Sequence, residues 1–142
     1  MTNEISVIFV TSQKTNSNMN FTIDKQEKYT SIKVHVEKLD TTVAPALKSE
    51  LVMLNAHGSK NFIIDLEETR YCDSSGLSSI LVANRLCKNV NGTFVLTGLQ
   101  DSVTKLISIS QLDTILNITP THKEAIDYVF MAEVEKDLSS EE

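Results

Sequence analysis

The sequence is poor in the residues that mark specialised classes of protein. Tryptophan is absent, and the 142 residues include only four glycines, two prolines and two cysteines. This composition excludes a collagen-like chain, a low-complexity chain and a small scaffold held together by disulfides. Apolar residues make up 41% of the chain and charged residues 23%, which is typical of one globular domain.

Long apolar runs are missing as well. The run near the start, Ile5 to Val10, is far shorter than the about 20 residues that a membrane-spanning helix needs. It also lacks the basic flank and the small-residue cleavage site of a secretory signal peptide. We therefore expect a soluble, cytoplasmic protein without direct membrane insertion.

Positive charge is in deficit. Lysine and arginine total 13 against 19 aspartates and glutamates, which gives a formal net charge of −6. Proteins that bind nucleic acids or anionic lipids neutralise phosphates with basic side chains. We therefore expect neither of these two partners.

Motifs for cofactors, metals and catalysis are also missing. There is no P-loop, no glycine-rich dinucleotide motif and no paired-cysteine metal spacing, so we expect no cofactor and no metal. Cys72 and Cys87 are predicted to be buried, reduced thiols. Asp65, Glu67 and Glu68 cluster after a predicted strand, where a solvated turn is favoured over a metal or acid–base site.

The chain does contain alternating strand and helix patterns. Alternation at 21–23 and 32–36 predicts two half-buried strands, and the apolar run 62–66 predicts a central strand covered on both faces. The sequence therefore predicts an α/β fold, with a mixed, mostly parallel sheet of four to five strands and about four helices. Further strands are predicted at 93–97 and 115–118, and helices at 43–57, 75–90, 102–110 and from 121 onward.

Local signals predict where several helices begin and end. Thr41 and Thr42 are candidate N-caps of the first helix, and Gly58 is its candidate stop. Thr121 and Glu124 have the spacing of a capping box at the start of the last helix. These signals place the turns that separate the predicted elements.

Composition suggests three parts of the chain. Residues 1–19 are predicted to be an N-terminal extension, either loosely attached or adding an edge strand. Residues 20–131 carry the periodic patterns and are predicted to form the domain. Residues 132–142 are predicted to be an acidic C-terminal tail.

The most informative segment is Asp73-Ser74-Ser75-Gly76-Leu77, which lies at the start of a predicted helix. A helix N-terminus has unpaired N–H groups and a partial positive charge, so it favours anions. Asp73 or Ser74 would equally serve as a plain helix cap. On spacing alone, a cap and an anion or phosphorylation site are balanced interpretations.

This segment, following the apolar strand 62–66, resembles the signature of the STAS family. The resemblance extends over about residues 20–131 and includes the predicted strand 93–97 and the stretch 112–115. The best-known members are bacterial anti-sigma factor antagonists, which are regulatory proteins and not enzymes. In these, a partner that is both anti-sigma factor and serine kinase phosphorylates the serine directly after the aspartate.

The resemblance implies a role for each matching residue. Ser74 would be the phosphorylation site, with Ser75 as the alternative, and a phosphatase would restore the unmodified protein. Asp40 resembles the aspartate that follows the second strand of the family. The predicted partner-binding residues are Asp40, Asp73, Ser74, Ser75, Gly76, Leu77 and Ser78.

Two other functions remain open at this point. The chain would alternatively be a free-standing STAS interaction module, bound to a transporter ATPase or a signalling scaffold without phosphate switching. A third interpretation is an enzyme or small-ligand binder that uses Asp65, Glu67, Asp73 and Ser74, although no general base or phosphate loop is evident.

Overall fold

The structure is a computed structural model, and it describes residues 20–140. The two predictions for residues 1–19, a loose extension or an edge strand, concern residues outside the described range. Five strands form one sheet in the order β1-β2-β4-β6-β7. They are β1 (Phe21–Lys25), β2 (Thr30–Val34), β4 (Phe62–Asp65), β6 (Phe94–Thr97) and β7 (Asn117–Thr119), while β3 (Lys38–Leu39) and β5 (Tyr71–Cys72) form a separate two-residue ladder.

The sheet is mixed, as the sequence predicts. Strands β1 and β2 pair in antiparallel fashion, and the other three pairings of the sheet are parallel. Within residues 20–140, four α-helices accompany it: α1 (Ala44–Ala56), α2 (Ser74–Asn89), α3 (Asp101–Ile109) and α4 (His122–Ser140). The predicted α/β fold, with four to five strands and about four helices, is therefore confirmed.

The two faces of the sheet are covered differently. Alternate residues of β4, Phe62 and Ile64, belong to the main core, together with apolar side chains of α1 and α2 such as Leu51 and Ile80. Ile63 of β4 points the other way and packs in a second cluster with Val95 and with Ala125 and Val129 of α4. Because successive side chains of a strand point to opposite faces, α1 and α2 lie on one face of the sheet and α4 lies on the other.

Two predicted helix starts have different outcomes. At α4, Thr121 Oγ1 accepts from Glu124 N at 3.2 Å, so Thr121 caps the helix; the Glu124 carboxylate accepts from the Thr121 hydroxyl at 2.9 Å, instead of from the backbone amide as in a full capping box. At α1, Thr41 and Thr42 are not the caps: the N-cap position is Val43, with no side-chain hydrogen bond. Asp40 replaces them, because its carbonyl oxygen accepts from the amides of both Val43 and Ala44.

The helix and strand ends differ from prediction by a few residues. The last strand begins at Asn117 instead of residue 115, because a 3-10 helix, Leu112–Thr114, and the residues after it precede β7. Gly58 ends α1 with a φ of 108°, as a glycine stop requires. The β3–β5 ladder is absent from the sequence-based prediction, since two residues are too few to make a period-two pattern.

The acidic C-terminal segment continues α4 as far as Ser140 and does not form a separate element. Glu133 lies 3.7 Å from Lys60 Nζ, and Lys136 Nζ donates to Asn91 O at 2.8 Å and to Thr93 Oγ1 at 3.0 Å. Residues 132–136 are therefore packed against the domain, and the boundary at 131 stays a prediction. Among residues 20–140, no helix is long and apolar enough to cross a membrane.

Candidate functional site

The predicted site begins on the two-residue ladder. Lys38 is level with Tyr71 and Leu39 with Cys72 in the parallel pairing of β3 with β5. The amide of Asp73 then donates to Leu39 O at 3.3 Å, which extends the ladder by one bond. Asp40 follows β3 and Asp73 follows β5, so the register brings these two predicted residues to the same edge.

Gly76 makes this arrangement possible. A Cβ atom at this position would lie 2.4 Å from Leu39 O and 2.5 Å from Cys72 Sγ. Both distances are far below van der Waals contact, so only glycine allows the first turn of α2 to lie this close to β3. Gly76 is itself buried, and its contribution to the site is this close approach of two backbone segments.

Asp73 caps helix α2. Its backbone is extended, and its Oδ1 accepts from Gly76 N at 3.0 Å. The amides of Ser74 and Ser75 remain as helix-start donors outside this cap, since a helix has no internal acceptor for its first N–H groups. The structural interpretation of Asp73 as a cap is therefore correct, and the cap leaves the anion-favouring helix start in place.

The serines of the segment differ in exposure. Ser74, the first residue of α2, is exposed, while Ser75 and Ser78 are half-buried. Ser79 is fully buried, and its hydroxyl donates to Gly76 O at 2.6 Å. Of the two candidate phosphorylation sites, Ser74 is thus the more accessible hydroxyl.

Leu77 lies at the border between surface and interior. It is half-buried, as is Leu81 one turn later, and both pack against the main core. Leu77 therefore presents only part of its side chain next to Ser74 and Ser78. Tyr71, which precedes the segment, is 54% exposed and adds an aromatic ring to this edge that the sequence analysis missed, because no pattern distinguishes it from a core strand residue.

Asp40 is held by a local turn. Its Oδ1 accepts from Thr42 N at 3.0 Å and from Thr42 Oγ1 at 2.6 Å. These two hydrogen bonds, the hydroxyl bond first, lower the pKa of the Asp40 carboxyl below its usual value. The carboxylate is thus kept ionised and oriented at the edge where Asp73 lies.

The thiol beside the site is not a nucleophile. Burial, with a smaller effect from the Asp73 carboxylate, raises the pKa of Cys72 to about 12. Burial likewise raises the pKa of Cys87 to about 12. Both cysteines are free and buried, and a protonated thiol has little reactivity near neutral pH.

The carboxylates after β4 do not assemble with the serine segment. Lys33 Nζ lies 2.9 Å from Glu67 Oε1, and His35 Nδ1 lies 3.2 Å from Glu68. Asp65 Oδ1 accepts from the amide of Glu67 at 2.9 Å. Within residues 20–140, no group of three histidine, cysteine, aspartate or glutamate side chains could hold a metal ion.

The predicted site lies outside the cavities described for residues 20–140. Three surface cavities of about 250, 310 and 360 Å³ occur in the described part of the chain, and none of them is lined by a predicted site residue. The geometry of the segment is suited to contact with another protein surface.

Comparison with known proteins agrees with this geometry. The model of the STAS domain matches residues 7–125. The chain belongs to the STAS family. The match begins inside the segment 1–19 and includes the two-residue ladder, the serine segment and all five strands of the sheet.

Named relatives of this STAS chain are regulatory proteins. The anti-sigma-B factor antagonist of Bacillus subtilis is 28% identical over 102 residues, which cover 71% of this chain and 93% of that protein. The Staphylococcus aureus protein of the same name is 25% identical over 101 residues, with the same two coverages.

Solved structures share the fold. The Bacillus cell fate determinant SpoIIAA in its phosphorylated form has a TM-score of 0.62 and 22% identity, covering 77% of this chain and 98% of that one. A sulfate transporter family protein from Wolinella succinogenes has a TM-score of 0.67 and 15% identity, covering 77% and 90%. At these identities the likeness concerns the fold alone.

Proposed function

We propose that this STAS protein is an anti-sigma factor antagonist that is regulated at Ser74. When Ser74 is unmodified, the protein binds an anti-sigma factor that is also a serine kinase. Phosphorylation of Ser74 ends this binding, and a phosphatase restores it. The observation that carries the proposal is the exposed hydroxyl of Ser74 at the first position of α2, one residue after its capping aspartate.

The proposed binding surface consists of the exposed parts of one edge. Asp40 and Asp73 lie at that edge because of the β3–β5 register, and Ser74, Leu77 and Ser78 continue it along α2. Gly76 supports this surface from below, since its backbone approaches Leu39. The proposed role is that of a binding protein and not of an enzyme, and the proposed location is the cytoplasm.

Electrostatics explain how one phosphate would act. Phosphorylation adds roughly −1.5 to −2 charges beside Asp73 and near Asp40. A helix N-terminus tolerates an anion, so the fold of the protein remains. A partner surface that accepts a neutral hydroxyl must now desolvate a dianion, and a loss of a few kcal/mol lowers affinity by orders of magnitude.

The test combines phosphosite mapping with partner capture. Mass spectrometry of the protein from its native cells identifies the modified serine, and pull-downs compare Ser74→Ala with Ser74→Asp. We expect phosphate on Ser74, a kinase retained by the alanine variant, and loss of that kinase from the aspartate variant. Ser108→Ala is the matched control, because it removes one hydroxyl from an exposed serine of α3, outside the proposed surface.

A different outcome identifies the alternative function. If no phosphate is found under varied growth conditions and both Ser74 variants retain the same partner, the switch is refuted. A transporter ATPase or a scaffold protein as that partner would make the chain a constitutive STAS interaction module. Phosphate on Ser75, with normal binding by Ser74→Asp, would move the switch by one residue.

A further inference from the structure

Helix α4 contacts the domain along its inner side, with Tyr128 bonded to Asn117 and Phe130 packed on Tyr29 at the margins of that side. Ala125 and Val129 are fully buried against the sheet, and Glu133 and Lys136 continue this inner side through their contacts with Lys60, Asn91 and Thr93. The helix has 19 residues and is therefore about 28 Å long at 1.5 Å per residue. Its opposite side is open to solvent over the last turns.

That opposite side is apolar. Met131, Val134 and Leu138 are 62%, 51% and 60% exposed, and we call these three residues the outer face of α4. Their spacings of three, four and seven residues place them on one stripe. A surface helix is usually polar on its solvent side, and contiguous exposed apolar residues mark an interaction surface.

The charges around the outer face are acidic. Residues 122–142 contain seven acidic residues and two lysines, so they account for −5 of the net charge of −6. Asp127 lies on the same stripe, four residues before Met131, and Glu135 lies beside the stripe; both are exposed. The last turn of α4 has no basic residue, so the negative end of the helix dipole adds to the same field.

This charge decides between the possible occupants. A second copy of the chain would bring two acidic helices together, and like charges directly opposed are unfavourable. An anionic membrane surface would repel the helix for the same reason. A partner with basic residues on both sides of an apolar stripe satisfies both the apolar and the electrostatic requirement.

We propose that the outer face of α4 binds a basic amphipathic helix of a partner protein. Apolar side chains of that helix pack on Met131, Val134 and Leu138, and its lysines or arginines pair with Asp127 and Glu135. This is the geometry of helix–helix recognition by residues three and four apart. The proposal concerns a surface separate from the serine segment and does not depend on the proposed switch.

The position of α4 gives the second surface a distinct property. Helix α2 and its serine segment lie on one face of the sheet, and α4 lies on the other. A partner on α4 and a partner at Ser74 therefore do not compete for space. Binding at the outer face is expected to be the same for the Ser74→Ala and Ser74→Asp variants.

The probe for this surface is a synthetic 18-residue helix of leucine, alanine and lysine, with the leucines on one stripe. The control peptide carries glutamate at every lysine position. Titration into the isotope-labelled full chain, followed by NMR, is expected to shift signals of residues 127–138 with the lysine peptide and none with the glutamate peptide. The affinity should fall at high salt, because surface ion pairs are screened.

Two matched substitutions make the test specific. Val134 and Val52 are 51% and 50% exposed, and Val52 lies on α1, on the other side of the sheet. We expect Val134→Lys to weaken binding of the lysine peptide about tenfold or more and Val52→Lys to leave it unchanged, with both variants retaining the circular dichroism spectrum of the unmodified protein.

Several results would overturn the proposal. Peptide-induced shifts outside α4, equal binding of both peptides, absence of binding, or equal effects of the two substitutions each contradict a basic helix on the outer face. Self-association in analytical ultracentrifugation, abolished by Val134→Lys but not by Val52→Lys, would instead assign the outer face to a second copy of the chain.

Discussion

Replacing Gly76 by alanine tests whether the close approach of α2 to β3 holds the serine segment in place. The new Cβ would lie 2.4 Å from Leu39 O and 2.5 Å from Cys72 Sγ. Backbone oxygen cannot rotate away, so the ladder or the first turn of α2 must move. Overpacking of this kind costs about 1–3 kcal/mol, and the better helix propensity of alanine returns up to about 1 kcal/mol.

We therefore expect Gly76→Ala to lower the free energy of unfolding by about 1–2 kcal/mol, measured by urea denaturation. Ser78→Ala, two residues along the same helix, is the control and should change it by less than about 0.5 kcal/mol. The displaced segment should also bind the proposed kinase partner more weakly than the unmodified protein does.

A second substitution separates the two clashes. In the Gly76→Ala background, Cys72→Ala removes the sulfur but leaves Leu39 O, so it should recover only part of the lost stability. The double variant should then be more stable than the sum of the two single effects predicts. A Gly76→Ala protein as stable as the unmodified one, with unchanged partner binding, would refute the reasoning.

Two further predictions concern residues next to Gly76. Asp73→Ala removes the cap on α2 and should lower the free energy of unfolding, measured by urea denaturation, by about 1 kcal/mol. Asp73→Asn keeps an acceptor for Gly76 N and should retain most of that free energy. Equal losses in the two variants would show that Asp73 stabilises the helix through its charge and not through the capping hydrogen bond. Cys72 and Cys87 should react with a thiol reagent at pH 8 only after unfolding, since their folded pKa is about 12 against an ordinary 9.0. Because the folded state holds these protons more tightly, the thiol contribution to stability is complete below pH 9 and is lost as the pH rises toward 12; rapid labelling of the folded protein would contradict this.

The order of the strands and helices could be predicted from local patterns in the sequence. The continuous run 62–66 predicts a strand covered on both faces, and β4 indeed lies between β2 and β6 in the centre of the sheet. The pairing of Thr121 with Glu124 at the start of α4 is predictable, because both partners lie within one helical turn. Local signals suffice wherever the interacting residues are near each other in sequence.

Contacts made by the backbone, or between residues far apart in the chain, were not predictable from the sequence. At the start of α1, the backbone carbonyl of Asp40 is the acceptor, and not the side chains of Thr41 and Thr42. The sequence does not reveal this, because every residue has a backbone carbonyl. The contact between Gly76 and Leu39 joins positions 37 residues apart, and only the fold reveals it. The contacts of Lys136 with Asn91 and of Glu133 with Lys60 are also long-range, and the acidic composition of 132–142 contains no sign of them.

The pairing of β3 with β5 restricts the lengths of the two connections that lead to these strands, from β2 to β3 and from β4 to β5. Three residues join β2 to β3 and five join β4 to β5, and hydrogen bonds from Thr69 to Val36 and from Arg70 and Tyr71 to Glu37 lock these connections together. An insertion in either one would shift Asp40 relative to Ser74 along the shared edge. Evolution should therefore preserve the lengths of these two connections in switching homologues, while the β1–β2 hairpin remains free to vary.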